Sequence, residues 1–96
     1  MDLVQENRQV LNLVQAMAGL ISDRIRAITL KCDDTGVVLR FFLFDEDEEV
    51  AEDVRSIVFE FEALQESGID VYTKIEVRED ETLNLLDMGR VVFARK

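Results

Sequence analysis

Apolar residues recur at helical spacing in the first part of the chain, at steps of three, four and seven positions. This periodicity predicts an amphipathic helix from Asp2 to Ser22. Its expected core-facing stripe consists of Leu3, Val10, Leu13, Val14, Met17, Leu20 and Ile21.

A second amphipathic pattern follows the acidic run that begins at Asp45. Asp45 can cap this helix and Glu48 can complete a capping box, because their side chains reach free amide groups at the helix start. Gly68 is expected to close the helix, since glycine readily adopts the left-handed conformation found at helix ends. The predicted apolar stripe consists of Val50, Val54, Ile57, Val58, Phe61 and Leu64.

Elsewhere the apolar period drops to two, which is typical of half-buried strands. The runs Ile25 to Cys32 and Val37 to Phe44 flank Asp33-Asp34-Thr35-Gly36 and predict a hairpin with a four-residue connection. A third strand is predicted from Ile69 to Val77, and a short last strand from Arg90 to Arg95. The third strand is expected to face inward at Ile69, Val71, Ile75 and Val77 and outward at Asp70, Lys74 and Glu76.

The predicted elements follow in the order α-β-β-α-β-β within a single domain spanning residues 1–96. They predict an α+β two-layer sandwich, with two helices on one face of a four-stranded, mainly antiparallel sheet. A right-handed crossover, with the last strand between the second and third, would make this fold permuted ferredoxin-like. The opposite face carries Arg40, Phe42, Tyr72, Lys74 and Val92. We expect an ordinary solvent-facing surface there, in preference to a second contact patch.

Composition excludes most familiar catalytic chemistry. The chain has no histidine, so it lacks a side chain that titrates near neutral pH and an imidazole ligand for zinc. Its four glycines are far apart, so no phosphate-binding loop can be drawn. Cys32 is the only cysteine, and its position predicts an inward strand residue and not a reactive thiol. We therefore expect no cofactor and no enzymatic activity.

Two further features of the sequence concern metal binding and location in the cell. Asp45, Asp47 and Glu49 alternate as in a calcium-binding loop, but Val50 stands where such a loop needs glycine. Helix entry explains these acids, and no metal is expected. The chain lacks a signal peptide and any apolar run long enough to span a bilayer, which predicts a soluble, cytoplasmic protein.

Nearly all of the net charge of minus ten lies in one segment. From Asp45 to Glu66 there are ten acidic residues and one base, a net charge of minus nine, so the other 74 residues carry minus one. Acids in a first helical turn favour the helix dipole, but Glu60, Glu62 and Glu66 lie in the C-terminal half, where the dipole favours cations. A solvated face explains part of this pattern, and attraction of a positively charged partner explains the rest.

Phe59 lies on the side of the second helix opposite the apolar stripe and is expected to be exposed. An aromatic side chain inside a charged rim is a common form of binding hot spot. An equally weighted alternative is that the leucine-rich segment from Arg78 to Gly89, folded back as a short helical turn, or a second copy of the chain covers it. The expected partner-binding residues are Glu48, Glu49, Glu52, Asp53, Arg55, Phe59, Glu60, Glu62 and Glu66.

This combination of small size, absent histidine and disulfide chemistry, and an acidic helix with an aromatic residue resembles small bacterial immunity proteins. Such proteins protect bacteria from their own polymorphic toxins, as in contact-dependent growth inhibition and colicin systems. The resemblance covers the chain in general character and carries no residues over. It implies a tight complex that occludes the basic active site of a cognate toxin, often a nuclease, with acids standing where substrate phosphates would lie.

Other classes of function remain open at this point. A DNA-mimic inhibitor would spread its charge along a rod, whereas here the charge is confined to one helix. A homo-oligomeric scaffold would use Phe59, Phe42 and Tyr72 as subunit contacts. An enzyme with paired carboxylates, such as Glu52 and Glu79, would need a cleft that no pattern indicates. We expect a monomer or weak homodimer that binds a basic protein and neither nucleic acid nor a membrane.

Overall fold

A computed structural model describes residues 2–20, 23–34, 36–77 and 89–94. The predicted α+β class and α-β-β-α-β-β order are confirmed. The elements are α1 (Leu3–Met17), β1 (Ile25–Cys32), β2 (Gly36–Leu43), α2 (Glu48–Ala63), β3 (Asp70–Val77) and β4 (Arg90–Ala94). The helical turn expected between Arg78 and Gly89 falls almost wholly outside the described residues.

The four strands form one mixed sheet in the order β3-β2-β1-β4. β1 pairs antiparallel with β2 and β4, whereas β2 pairs parallel with β3. The predicted place of the last strand, between the second and third, is therefore wrong. β2 and β3 pair without interruption from Gly36 and Asp70 to Leu43 and Val77, which leaves no room for a strand between them.

Glycine is required where this parallel pairing begins. A Cβ atom on Gly36 would lie 2.5 Å from the backbone oxygen of Asp70, too close for any side chain. The Gly36 amide also donates a 2.8 Å hydrogen bond to Asp33 Oδ1, which closes the β1–β2 hairpin. Because Gly36 belongs to β2, the connection is one residue shorter than predicted.

The core lies between the helices and one face of the sheet. The predicted α2 stripe is confirmed except for Leu64, which follows the helix, and it packs against the inward side chains of β1 and β2, the two central strands. Fully buried members of this core include Leu13, Ile28, Leu30, Leu39, Phe41, Val50, Ile57 and Phe61. These side chains account for most of the apolar driving force of folding, at roughly 1.5 to 3 kcal/mol for each large residue.

The predicted stripe of α1 is only partly right. Leu13 and Met17 are buried, but Leu3 and Val14 are exposed, and the buried face also includes Gln9. Gln9 tolerates burial because its amide nitrogen donates a 2.7 Å hydrogen bond to Gln65 Oε1. The helix also ends at Met17, five residues before the predicted end.

The predicted limits of α2 are shifted as well. Its N-cap is Asp47 and not Asp45, and Asp47 Oδ1 accepts a 2.9 Å hydrogen bond from the Val50 amide. Asp45 instead lies 3.6 Å from the Arg24 guanidinium. The helix ends at Ala63, so Gly68, with φ of +89°, belongs to the connection that follows it and does not close it.

The sheet face opposite the helices is less open than predicted. Phe42 is completely buried, and Val92 packs against the core, so neither belongs to a solvent-facing surface. Tyr72 and Lys74 are exposed as expected. On β3 the predicted inward residues Ile75 and Val77 are exposed, because β3 is an edge strand beyond the main helix contacts.

A buried hydroxyl on β1 gives a test of the packing on this second face. Thr29 is completely buried, and its Oγ1 has no hydrogen-bond partner in the part of the chain described. Thr29→Val keeps the shape and removes the desolvation cost, so we expect the free energy of unfolding to rise by about 1 kcal/mol. The melting temperature should rise by roughly 4 to 8 °C in calorimetry. Thr29→Ser, which keeps the hydroxyl, should lower it, and a loss of stability in the valine variant would contradict this account.

Candidate functional site

The outward side of α2 is fixed by the helix's own apolar stripe. Val50, Val54, Ile57 and Phe61 anchor one side of the helix in the core, so the residues half a turn away must face solvent. Asp47 caps the first turn, and Glu48 and Glu49 lie where the helix dipole favours acids. The scaffold of the candidate surface is therefore a rigid, well-anchored helix.

Phe59 lies at the centre of this outward side. Its side chain is 72% exposed, so its predicted exposure is confirmed. The segment named as an alternative cover lies almost wholly outside the described residues. An open groove of about 500 Å³ runs beside it. The groove is lined by Leu20, Glu52, Arg55, Ser56, Phe59 and Glu60. A large apolar side chain exposed to this degree is available to insert into a partner.

The structure brings the predicted partner-binding residues onto one surface. All of them lie on α2 except Glu66, which lies just beyond its end, and all are exposed except the half-buried Asp53. Arg55, the only base in the set, donates a 2.9 Å hydrogen bond to Glu52. Glu66 lies 3.6 Å from the Arg8 guanidinium. Both pairs are well exposed, so each contributes little to stability.

Several acids of this surface form no ion pair with the described residues. In the described ranges no ion pair involves Glu48, Glu49, Glu60 or Glu62. The acidic run before the helix differs, because Arg24 pairs with both Asp45 and Asp47. The uncompensated negative charge is thus concentrated on the helix around Phe59 and not on the segment that leads into it.

The exposed side of α1, on the helix beside α2, is a second apolar surface that was not predicted. Gln9 of α1 bonds to Gln65 after α2, whereas Leu20 after α1 lines the groove with Glu52, so the two helices run antiparallel. The exposed side of α1 carries four large apolar residues, Leu3, Val4, Leu11 and Val14. The sequence signal was present, since apolar residues occur on two sides of this helix, but a single stripe was assigned.

Groups with other possible chemistry form no alternative site among the residues that the structure describes. Partial burial, followed by the charge of Glu6, raises the pKa of the Cys32 thiol, so the nucleophilic thiolate is disfavoured. Among the residues described, no cluster of three acids or thiols could hold a metal ion. The carboxylate pair considered for an enzyme is not formed by described groups, because Glu79 lies outside the described residues and Glu52 is engaged with Arg55.

Comparison with known proteins identifies one family. The family described as MafI2 immunity protein matches the chain over residues 6–96. No curated protein matches the sequence. In the described part of the chain no helix is long and apolar enough to cross a membrane. The family match covers α2, all four strands and α1 from Glu6 onward, so it includes the whole candidate surface on and just after α2.

Proposed function

Because the chain belongs to the MafI2 immunity protein family, we propose that it neutralises its cognate toxin by covering a basic active site with the outer side of α2. Immunity proteins bind a cognate toxin, and the proposal concerns how this one does so. The toxin-facing residues are the predicted set on and just after α2, with Phe59 at the centre and carboxylates around it.

The observation that carries this proposal is the exposed phenylalanine within a rim of uncompensated acids. Phe59 would fill an apolar pocket of the toxin, and Glu60 and Glu62 would meet its cations. If the toxin is a nuclease, these carboxylates occupy positions that the substrate phosphates need. Inhibition then requires no chemistry by the immunity protein, only a stable complex that blocks the site.

A homo-oligomeric interaction domain is the second candidate function. Phe59 and Tyr72 remain available as subunit contacts, but Phe42 is completely buried and cannot serve as one. A chain with a net charge of minus ten also repels its own copies at low salt. Sedimentation at several protein concentrations distinguishes a monomeric inhibitor from such an assembly.

The salt dependence of binding tests the electrostatic part of the proposal. The partner used is the cognate toxin domain, purified in a catalytically inactive form. We expect its association rate constant to fall at least about tenfold as the salt concentration rises from roughly 0.05 to 0.5 M, because screening removes steering. Dissociation should change much less. An association rate that stays flat across this range, measured by surface plasmon resonance, would remove the argument from charge.

A further inference from the structure

Helix α1 is apolar on two sides, and only one of them faces the core. Leu13, Ala16 and Met17 are buried against the sheet and α2. The α1 stripe, which we define as Leu3, Val4, Leu11 and Val14, has exposed fractions between 48% and 70%. A surface helix of a monomeric protein normally carries polar residues on its outer side. An apolar outer side therefore indicates a second packing partner.

The α1 stripe lies along one side of the helix and is interrupted by Asn7, whose side chain accepts a hydrogen bond from Arg90 of β4. Val4, Leu11 and Val14 are separated by seven and three positions, which places them on one side of a helix. Leu3 extends the stripe at its N-terminal end. No residue of the stripe is charged, so the partner must present an apolar patch to it.

Contacts through Arg8 and Gln9, which lie outside the α1 stripe, hold α1 and α2 side by side. Gln9 and Gln65 share a 2.7 Å hydrogen bond at one end of the helix pair. Arg8 lies 3.6 Å from Glu66 at the same end, and at the other end Leu20 lines the same groove as Phe59. The apolar side of α1 and the acidic side of α2 thus form two halves of one layer that points away from the sheet.

We propose that the α1 stripe is the second half of the toxin interface, and that the toxin carries an apolar patch beside its basic one. This inference rests on the proposed function and specifies its partner further. The two halves affect different rates of the toxin complex. Acids on α2 raise the association rate, whereas apolar contacts on α1 lower the dissociation rate. Charge favours a basic toxin over a second copy, since pairing through α1 would bring two strongly acidic α2 helices close together.

The test compares the double variant Leu11→Gln, Val14→Gln with the wild-type chain. Glutamine favours a helix, and both positions are exposed, so the melting temperature should stay within a few degrees. We expect the dissociation constant for the inactivated toxin domain to rise at least about tenfold. The loss should appear in the dissociation rate and should persist at high salt. Val4→Gln, near the helix start, is a second variant should the double variant be unstable.

A matched control lies on β3, at the sheet edge opposite β4, the strand that α1 contacts. Val77→Gln replaces an equally exposed apolar residue on the edge strand β3 and should leave toxin binding unchanged. An unchanged dissociation constant in the α1 variants, alongside weakened binding in α2 variants, would overturn this inference and leave the proposed function intact. Failure of the wild-type chain to bind the toxin would overturn both. If the wild-type chain is a dimer and the double variant is a monomer, the stripe is a contact between two copies. That outcome would also overturn the inference.

Discussion

Changing Glu60, Glu62 and Glu66 together to lysine is expected to abolish toxin binding and to leave the fold intact. Each acid removed from a desolvated contact leaves a toxin cation unpaired, which costs roughly 2 to 5 kcal/mol. The introduced lysines add repulsion to that loss. A combined effect of this size exceeds the detection range of most titrations, so the complex should be undetectable by calorimetry at micromolar concentrations.

Stability should respond very differently to the same three changes. The last turn of α2 contains no basic residue, so lysine at positions 60 and 62 satisfies the helix dipole and relieves acidic repulsion. Glu66 loses its exposed ion pair with Arg8, which is worth at most about 1 kcal/mol. These contributions nearly cancel. We therefore expect a melting temperature within a few degrees of the wild-type value, measured on the sample used for the binding titration.

A control with the same change in net charge separates local contact from the overall field. Asp23, Asp34 and Asp70 are exposed acids outside α2, and changing them to lysine alters the total charge equally. This control should slow association modestly and keep a stable complex. Equal loss of binding in both triple variants would mean that net charge alone drives the association. If the α2 variant has normal affinity and a normal melting temperature, its acids do not bind the toxin and form only a solvated face.

The fold of α2 and its outward surface were predictable because one simple pattern determines them. Every large residue of its stripe is apolar, and Phe59 is the one aromatic residue on the opposite side, so the helix has a single favourable orientation. The limits were harder to predict. Asp45 and Asp47 are both good N-caps, and the local pattern does not distinguish them; Arg24, which is distant in sequence, contacts both, and Asp47 caps the helix.

The orientation of α1 could not be read reliably from its periodicity. Apolar residues on two sides of the helix allow two stripes, and the side that contains Gln9 appears unfavourable until its partner is known. That partner is Gln65, 56 residues away, and such a contact leaves no trace in a local pattern. The choice between the two sides is therefore made by tertiary packing and not by helix periodicity.

The strand order escaped prediction for a related reason. Alternation of apolar residues indicates which strands have a buried face, but it does not indicate which strands pair with each other in the sheet. Gly36 offered an indirect sign, since a strand that begins with glycine allows a close neighbour, here the backbone of Asp70. The burial of Phe42 was missed because alternation assigned it to the second face and that face was assumed to be open.

The remaining large effect concerns Phe59, whose role in binding is still a prediction. Phe59→Ala should weaken the toxin complex by more than roughly 2 kcal/mol, about thirtyfold in the dissociation constant, because a central aromatic contact is lost. Its side chain is 72% exposed in the free chain, so folding depends little on it. Alanine also favours a helix more than phenylalanine, so the melting temperature should stay equal or rise slightly.

The sign of the stability change makes this substitution decisive. A fall of several degrees in the melting temperature would mean that Phe59 is covered in solution, by another part of the chain or by a second copy, because removing a buried phenylalanine costs roughly 3 to 5 kcal/mol.

Tyr72→Ala is the matched control, since Tyr72 is an exposed aromatic residue on β3, away from both helices. It should leave the dissociation constant unchanged. If both variants bind the toxin normally, the contact lies elsewhere and Phe59 is an ordinary exposed residue. If only Phe59→Ala loses affinity at constant melting temperature, the aromatic centre and its acidic rim act together as the binding surface.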